Sequence, residues 1–449
     1  MTATHDDPAG RARLPSERTE TVFSDFKPAL TKDQAVAEAN RCLFCTDAPC
    51  VQACPTHIDI PQFIRKIATG NEEGSARTIF ASNILGMSCA RVCPVEVLCV
   101  GDCVYNAKGE APIQIGKLQR YATDLAIAKG MQFFEAGPDT GKSVGLIGAG
   151  PASLAAAHRL RRFGHRVTIY EKRDVVGGLN TTGVAPHKLR ADTSLEEVEW
   201  LLGIGGIEIR TGVSVGADVS FEELEKRHDA LFVGVGLGAD SRLGVPGENL
   251  GNVEGAVAWI ERMKLGKLDL SAYTRCVVVG GGNTALDAVR EARTLGIRHV
   301  TLLYRGTEAA MSGYRHEWDA AKVQGVAAEW GLQPVAFEAN ASGNAVAGIR
   351  CQRLDANKEP IPGAEVTIPA DLVLVAIGQS KLGELLAALP GVTIEKGRIV
   401  TDAHGFTGRQ GLYAGGDCRN GGKEVVNAVA EGDAAAQAID AYLRGSTHG

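Results

Sequence analysis

The sequence predicts an α/β protein in which a helical, cysteine-rich N-terminal domain precedes two Rossmann-like nucleotide-binding domains, the second inserted in the first. Three observations predict it. Eight of the eleven cysteines lie between Cys42 and Cys103, in a stretch with few strand signals. Two strand–glycine turn–helix–strand units begin at Lys142 and at Arg275. Two later apolar strands, within 371–379 and 411–417, end in glycine turns and close the architecture. The expected domains are 1–140, then 141–253 together with 383–449, with 254–382 inserted. At 449 residues the chain is long enough for several cores. Its net charge of −6 gives no electrostatic footprint for nucleic acid or an anionic membrane, and no apolar run spans a bilayer.

Residues 1 to about 30 are polar and read as a poorly ordered or extended arm. Thr31-Lys32-Asp33-Gln34 has the form of a capping box, so a short helix follows and delivers Cys42. Ile60, Phe63, Ile64 and Ile67 recur at helical spacing and predict one buried face, and GSARTIFASNILG reads as a further helix. Cys42-x2-Cys45-x4-Cys50-x3-Cys54-Pro55 is a run of four thiolates ending in Cys-Pro. Cys89, Cys93, Cys99 and Cys103 form a second run, in which Cys93-Pro94 repeats that signature. Thiolates at such spacing converge on one metal centre, so two runs imply two centres. Structural zinc and disulfides are the alternatives. The spacing, the Cys-Pro pairs and the flavin motifs below favour iron–sulfur clusters. The first forty residues are charged, with no apolar core segment of a signal peptide, so a reducing, cytoplasmic setting is expected.

A linker rich in turn formers, 137–141, leads into the first nucleotide unit. Gly148 makes its tight turn. Gly150 lets the backbone approach a pyrophosphate at the N-terminus of the helix that opens with Pro151 and Ala152. Ser153 stands where the fingerprint has its third glycine and still permits close packing. The next strand ends at Glu171, about twenty residues on, where a carboxylate takes a ribose hydroxyl, and Gly177-Gly178-Leu179 follows. Near the C-terminus, Gly416-Asp417 places a carboxylate against a flavin's ribityl chain, and the next helix N-terminus, at Glu424 and Val425, faces the ring. The bland alternative for Asp417 is a turn residue.

The second unit turns at Gly280-Gly281-Gly282-Asn283-Thr284-Ala285, and Ala376-Ile377-Gly378 ends a later strand beside it. Two nucleotide folds imply two nucleotides. Arg305, not a carboxylate, follows the second strand of this unit. By the usual rule such an arginine takes a 2′-phosphate and favours NADPH; the alternative is that it stacks or faces solvent.

CLFCTDAPCVQACPTHIDIPQFI, NILGMSCARVCPVEVLCVGDC and PIQIGKLQ resemble the N-terminal iron–sulfur and flavin portion of dihydropyrimidine dehydrogenase. Across residues 30 to 445 the chain resembles the NADH-side subunit of the bacterial two-subunit form. GAGPASLAAAHRL, GGGNTALD and YAGGDC are shared with a wider family that includes the small subunit of glutamate synthase. The resemblance implies that Cys42, Cys45, Cys50 and Cys103 hold one [4Fe–4S] cluster. It implies Cys54, Cys93, Cys99 and the Gln119 side chain for the other, with Cys89 a bystander. It implies FAD contacts at Gly150, Pro151, Ala152, Glu171, Leu179, Lys188, Val215, Asp417 and Val425, with Lys188 standing where relatives often carry arginine. It also implies nicotinamide-nucleotide contacts at Gly282, Asn283, Thr284, Ala285, Arg305, Ala376, Ile377 and Gly378.

The two-subunit type is NAD-linked, and Arg305-Gly306 lacks the paired basic site of the single-chain, NADPH-using enzyme, so NADH is expected over NADPH. The cofactors carry the chemistry, with no protein acid or base required: hydride passes from NADH to FAD and electrons leave singly through the clusters. The chain ends at Gly449 without a barrel for FMN and pyrimidine. A partner subunit carrying FMN, the pyrimidine site and further [4Fe–4S] clusters is therefore expected. The hetero-oligomer would reduce uracil or thymine reversibly to the 5,6-dihydro form. The alternatives are a glutamate synthase small-subunit-like or other NAD(P)H:acceptor flavoprotein, a disulfide reductase of the thioredoxin-reductase kind, and a zinc-organised binding module. Against the disulfide reductase, Cys276, Cys351 and Cys418 form no C-x-x-C pair.

Overall fold

Thr31 starts the first helix by the capping box its sequence predicts. Its Oγ1 accepts from the Gln34 N–H (3.3 Å) while Gln34 Oε1 accepts from the Thr31 N–H (3.0 Å), opening α1 (Lys32–Ala39). The computed structural model describes residues 7, 9–380, 382, 383, 385, 389 and 391–445. The remainder of the expected arm and of the expected segment 383–449 lies outside the described residues.

After α1 come α2 (Pro49–Gln52), α3 (Ile60–Ala68), α4 (Glu72–Ser82), α5 (Gly86–Val92), α6 (Val104–Ala107) and α7 (Ile115–Ala128). Asp59 caps α3, and Ile60, Phe63, Ile64 and Ile67 are buried as the spacing predicts. Burying each is worth about 1.5–3 kcal/mol, so packing rather than length holds this short helix. The single helix expected over GSARTIFASNILG is two. Asn83 is extended, and its side-chain oxygen accepts from the Leu85 N–H at 3.1 Å, the local bond by which asparagine competes with helix.

The arm needs the larger correction. Ala9 is fully buried, the Thr19 N–H donates to the Gly266 carbonyl at 2.8 Å, and Phe23 packs with Trp259 and Ile260. A few apolar and backbone anchors are enough to dock a segment that is polar by composition.

The chain forms two compact units. One holds the described residues of Met1–Leu14, Asp25–Leu237 and Lys381–Gly449; the other holds Pro15–Ser24 and Gly238–Ser380. In the first, the cysteine-bearing helices share a core with a nucleotide fold. That fold comprises β1 (Ser143–Ile147), α8 (Pro151–Arg162), β2 (Arg166–Glu171), α9 (Leu179–Thr182), α10 (Ala191–Leu202), β3 (Ile207–Thr211), α11 (Phe221–Arg227) and β4 (Ala230–Val233).

The second unit holds β5 (Val253–Gly255), α12 (Ala256–Leu265), β6 (Arg275–Val279), α13 (Asn283–Thr294), β7 (His299–Tyr304), α14 (Arg315–Val323) and β8 (Ala327–Trp330). It continues through β9 (Leu332–Ala339), β10 (Val346–Leu354), β11 (Pro360–Pro369) and β12 (Leu372–Val375). Its parallel sheet runs β5-β12-β6-β7-β8, and β9 to β11 form an antiparallel sheet that the sequence reading did not anticipate. Returning to the first unit, the chain adds β13 (Ile394–Glu395), β14 (Arg398–Ile399), β15 (Leu412–Ala414), α15 (Asp417–Asn420) and α16 (Val425–Leu443). The first parallel sheet is thereby ordered β15-β4-β1-β2-β3. The predicted α/β class, with two parallel nucleotide-binding sheets, is what the chain adopts. No described helix is long and apolar enough to cross a membrane.

Candidate functional site

Cys42 follows α1, Cys50 lies in α2 and Cys103 caps α6. With Cys45 they line one apolar cavity, to which Ile60 and Ile64 also contribute. Burial, and then the neighbouring Cys42, Cys103 and Cys45, push the Cys50 thiol up to about 12. Burial, with Cys45 and Cys103, also raises Cys42. A cation that neutralises all four thiolates removes this mutual penalty.

In the second group Cys93 ends α5. A hydrogen bond with Cys89, burial, and the Cys89, Cys99 and Cys54 charges raise its thiol. Burial and the charges of Cys54 and Cys50 push Cys99 up to about 12, and since Cys50 belongs to the first group, the two groups are neighbours. Gln119, on α7, is 8% exposed, and its Nε2 donates to the Gly86 carbonyl at 2.8 Å. That bond orients the amide and leaves its oxygen as the atom available to a metal. Soft thiolates converging on apolar space fit iron–sulfur clusters. None of the eleven cysteines is in a disulfide, and Cys276, Cys351 and Cys418 are buried in separate cores.

The first nucleotide fold brings its predicted residues to the C-terminal ends of β1, β2 and β15. Gly148 has φ +89°, and a Cβ there would lie 2.7 Å from the Gly234 carbonyl oxygen, so only glycine fits. Gly150 caps α8 with no side-chain partner for the first N–H groups, and Pro151 takes the first helical position. Gly178 lies against it: a Cβ there would be 2.8 Å from Gly150 Cα. Glu171 is buried, and its carboxylate accepts from the Ala149 and Arg173 N–H groups at 2.8 Å each. Ser153 is buried against Gly234, where a Cβ would lie 2.2 Å from Ser153 Oγ, a close approach whose sequence signal is VGVG after a buried strand.

Gly416 donates its N–H to Glu431 at 2.7 Å and sits against Ala152. Asp417 opens α15, and burial raises its carboxyl. Glu424 caps α16, which begins at Val425. Leu179 opens α9, Lys188 lies in the turn after it, and Val215 packs with Tyr170 and Cys418.

The second fold repeats the backbone. Gly280 has φ +149°, and a Cβ there would collide with the Ala376 carbonyl. Gly282 caps α13 without a side-chain partner, Thr284 follows in the first turn, and Ala285 is buried. Asn283 Oδ1 accepts from the Tyr314 N–H at 2.9 Å, and Ser312 Oγ donates to the Gly281 carbonyl at 3.3 Å. The sequence signal of this covering segment is Ser312-Gly313-Tyr314, which lies outside the glycine motif itself. Arg305 is exposed and makes no ion pair or hydrogen bond among the described residues. Ile377 is exposed, and Gly378, at φ +109°, borders open space.

Two family descriptions match the chain: dihydropyrimidine dehydrogenase domain II, 4Fe-4S cluster, over residues 18–131, and pyridine nucleotide-disulphide oxidoreductase over residues 142–432. The chain belongs to the pyridine nucleotide-disulphide oxidoreductase family. Within it, the chain is 36% identical to the NAD-dependent dihydropyrimidine dehydrogenase subunit PreT of Escherichia coli (strain K12), over 95% of this chain and 98% of that one. It is 33% identical to the glutamate synthase [NADPH] small chain of the same organism, over 94% of each. The structure of Mycobacterium tuberculosis FprA in complex with NADPH is similar in fold, with a TM-score of 0.54, 20% identity, and coverage of 68% of this chain and 85% of that one. An iron–sulfur domain joined to a flavin and pyridine-nucleotide oxidoreductase fold is thus the architecture, in agreement with the resemblance read from the sequence.

Proposed function

We propose that the chain is the electron-input subunit of a dihydropyrimidine dehydrogenase. The observation that carries the reading is the pair of neighbouring thiol groups built into the same unit as the first nucleotide fold. Cys42, Cys45, Cys50 and Cys103 hold one [4Fe–4S] cluster, and Cys54, Cys93, Cys99 and Gln119 the other. FAD occupies the fold of Gly148, Gly150 and Glu171, within 141–253 and 383–449; NADH occupies that of Gly280, Gly282 and Asn283, within 254–382. When bound, FAD supplies hydride acceptance and the clusters supply one-electron transfer.

The chain's own residues bind and orient. The α8 N–H groups take the FAD pyrophosphate, Glu171 the ribose hydroxyl, and Asp417 the ribityl chain. A lone Arg305 without a second basic residue supports NADH over NADPH. The partner would be a cytoplasmic subunit carrying FMN, further clusters and the pyrimidine site, where uracil or thymine would be reduced with electrons supplied by the groups that this chain's cysteines and glycine turns would hold. The name of the relative PreT, a subunit of an NAD-dependent dihydropyrimidine dehydrogenase, supports the existence of a partner subunit.

The test is oxidation of NADH and of NADPH by the anaerobically purified chain with its co-purifying partner, with and without uracil. Uracil-dependent NADH oxidation is expected. If the nucleotide bleaches the flavin and uracil changes nothing, the dihydropyrimidine reading is lost. The glutamate synthase small-subunit type, supported by the 33% identical relative, then takes its place.

A further inference from the structure

One carboxylate ties the helix of the second thiol group to the flavin fold. Glu197, on α10, is 0% exposed, and its oxygens accept from the Met87 N–H (2.7 Å) and the Ser88 N–H (3.0 Å) at the start of α5. These N–H groups have no side-chain cap from α5's own N-cap residue, Leu85, and a carboxylate at a helix N-terminus satisfies both bonding and dipole. From there α5 runs to Cys93, and its Gly86 carbonyl holds the Gln119 amide. One turn earlier on α10, Ser194 Oγ shares a hydrogen bond of 2.9 Å with Thr181 Oγ1, and both lie against Gly177 in the flavin loop. A single helix thus connects the flavin loop to the segment that presents Cys93 and Gln119.

We propose that Glu197 is a positioning residue for the second centre and the group that takes up a proton when an electron passes from the flavin to that centre. The proposal rests on the reading that Cys54, Cys93, Cys99 and Gln119 hold a cluster. The electron comes from the reduced flavin and the proton from solvent; the carboxylate becomes a carboxylic acid, and no metal–ligand bond changes.

Burial pushes the Glu197 carboxyl up to about 7, against the hydrogen bonds from Ser88 and Met87 and the Arg91 charge. Negative charge added to a neighbouring cluster raises it further. Most of the other titratable groups on the elements packed against α10 are engaged elsewhere, Lys117 on α7 being an exception among the described residues. Cys89 on α5 bonds Cys93. Arg91 forks onto Asp124 of α7 at 2.7 and 2.8 Å, and Arg120 joins Asp124 at 3.1 Å. On α8, burial keeps His158 neutral at about 3, Arg159 pairs with Asp433, and Arg162 lies over Phe134. Arg11, in the N-terminal turn, pairs with Glu199.

The experiment is redox-difference infrared spectroscopy on the cluster-loaded full chain, with iron, sulfide and flavin content measured on the same samples. Reduction near neutral pH is expected to produce a carboxylic-acid carbonyl band that disappears in Glu197→Gln. The potential of the second centre is expected to fall by up to about 59 mV per pH unit, the one-electron equivalent of a tenfold change in proton activity, and to lose that slope in the variant. If Glu197→Gln fails to fold, Glu197→Asp serves instead: its band shifts if it belongs to this residue. A band that is missing from the wild type, or unmoved by substitution, overturns the proposal. A chain purified without iron overturns the cluster reading instead, so the two failures are distinguishable.

Discussion

Gly148 and Gly280 make the same turn at the end of a central parallel strand, each crowded by a neighbouring backbone carbonyl, that of Gly234 in one fold and of Ala376 in the other. Gly150 and Gly282 then cap equivalent helices with near-identical dihedrals, φ −80° and ψ 179° against φ −97° and ψ −179°. The folds part company after the second strand. Glu171 is buried and bonded to its own glycine turn, whereas Arg305 is exposed and unpaired among the described residues. Backbone shape is therefore common to both turns, and the side chain at the end of the second strand, Glu171 in one fold and Arg305 in the other, gives the two turns opposite charge.

The largest effect should come from Gly148→Ala and Gly280→Ala. Each places a side chain at positive φ, costing about 1–3 kcal/mol before the overlap with a carbonyl is added. Thermal unfolding should drop markedly for both, and a Gly280→Ala protein that melts like wild type would break the equivalence of the two turns. Glu171→Gln should weaken FAD binding by about 10- to 100-fold, the loss of one charge-assisted hydrogen bond, read as flavin retained on gel filtration. Undiminished flavin would mean that Glu171 serves its turn alone. Gly282→Ala is milder. A Cβ there has room, 3.7 Å from Ser312 Oγ, so the melting temperature should hold while KM for the nucleotide rises about tenfold. Arg305→Ala should have the smallest effect with NADH, under about twofold on its KM, against about tenfold on KM for NADPH. A tenfold rise for NADH would show the arginine serving a group common to both nucleotides.

Much of this is legible in the sequence. The capping box at Thr31 and the apolar face of α3 depend on neighbours within a turn or two, so local spacing encodes them. The two glycine turns are equally local, because a strand must end, turn at positive φ and enter a helix within a few residues. The helix break at Asn83 was not readable, because the surrounding residues all favour helix and one side-chain bond decides against them. The antiparallel strands β9 to β11 were missed because their burial depends on packing with Val277, Val373 and other strands remote in sequence.

The sequence by itself determined the fold class, the thiolate supply and the two glycine turns, since residue type and short-range geometry suffice for each. Tertiary structure alone decided which carbonyl crowds each glycine and that the polar arm docks at Ala9, Thr19 and Phe23; the cavity lined by Cys42, Cys45, Cys50 and Cys103 joins residues that spacing alone had left in two separate runs and that only the family resemblance had grouped. It also decided that Glu197 reaches back 110 residues to hold the N-terminus of α5. Burial and long-range hydrogen bonding belong to the folded chain as a whole, and no local pattern of residues carries them.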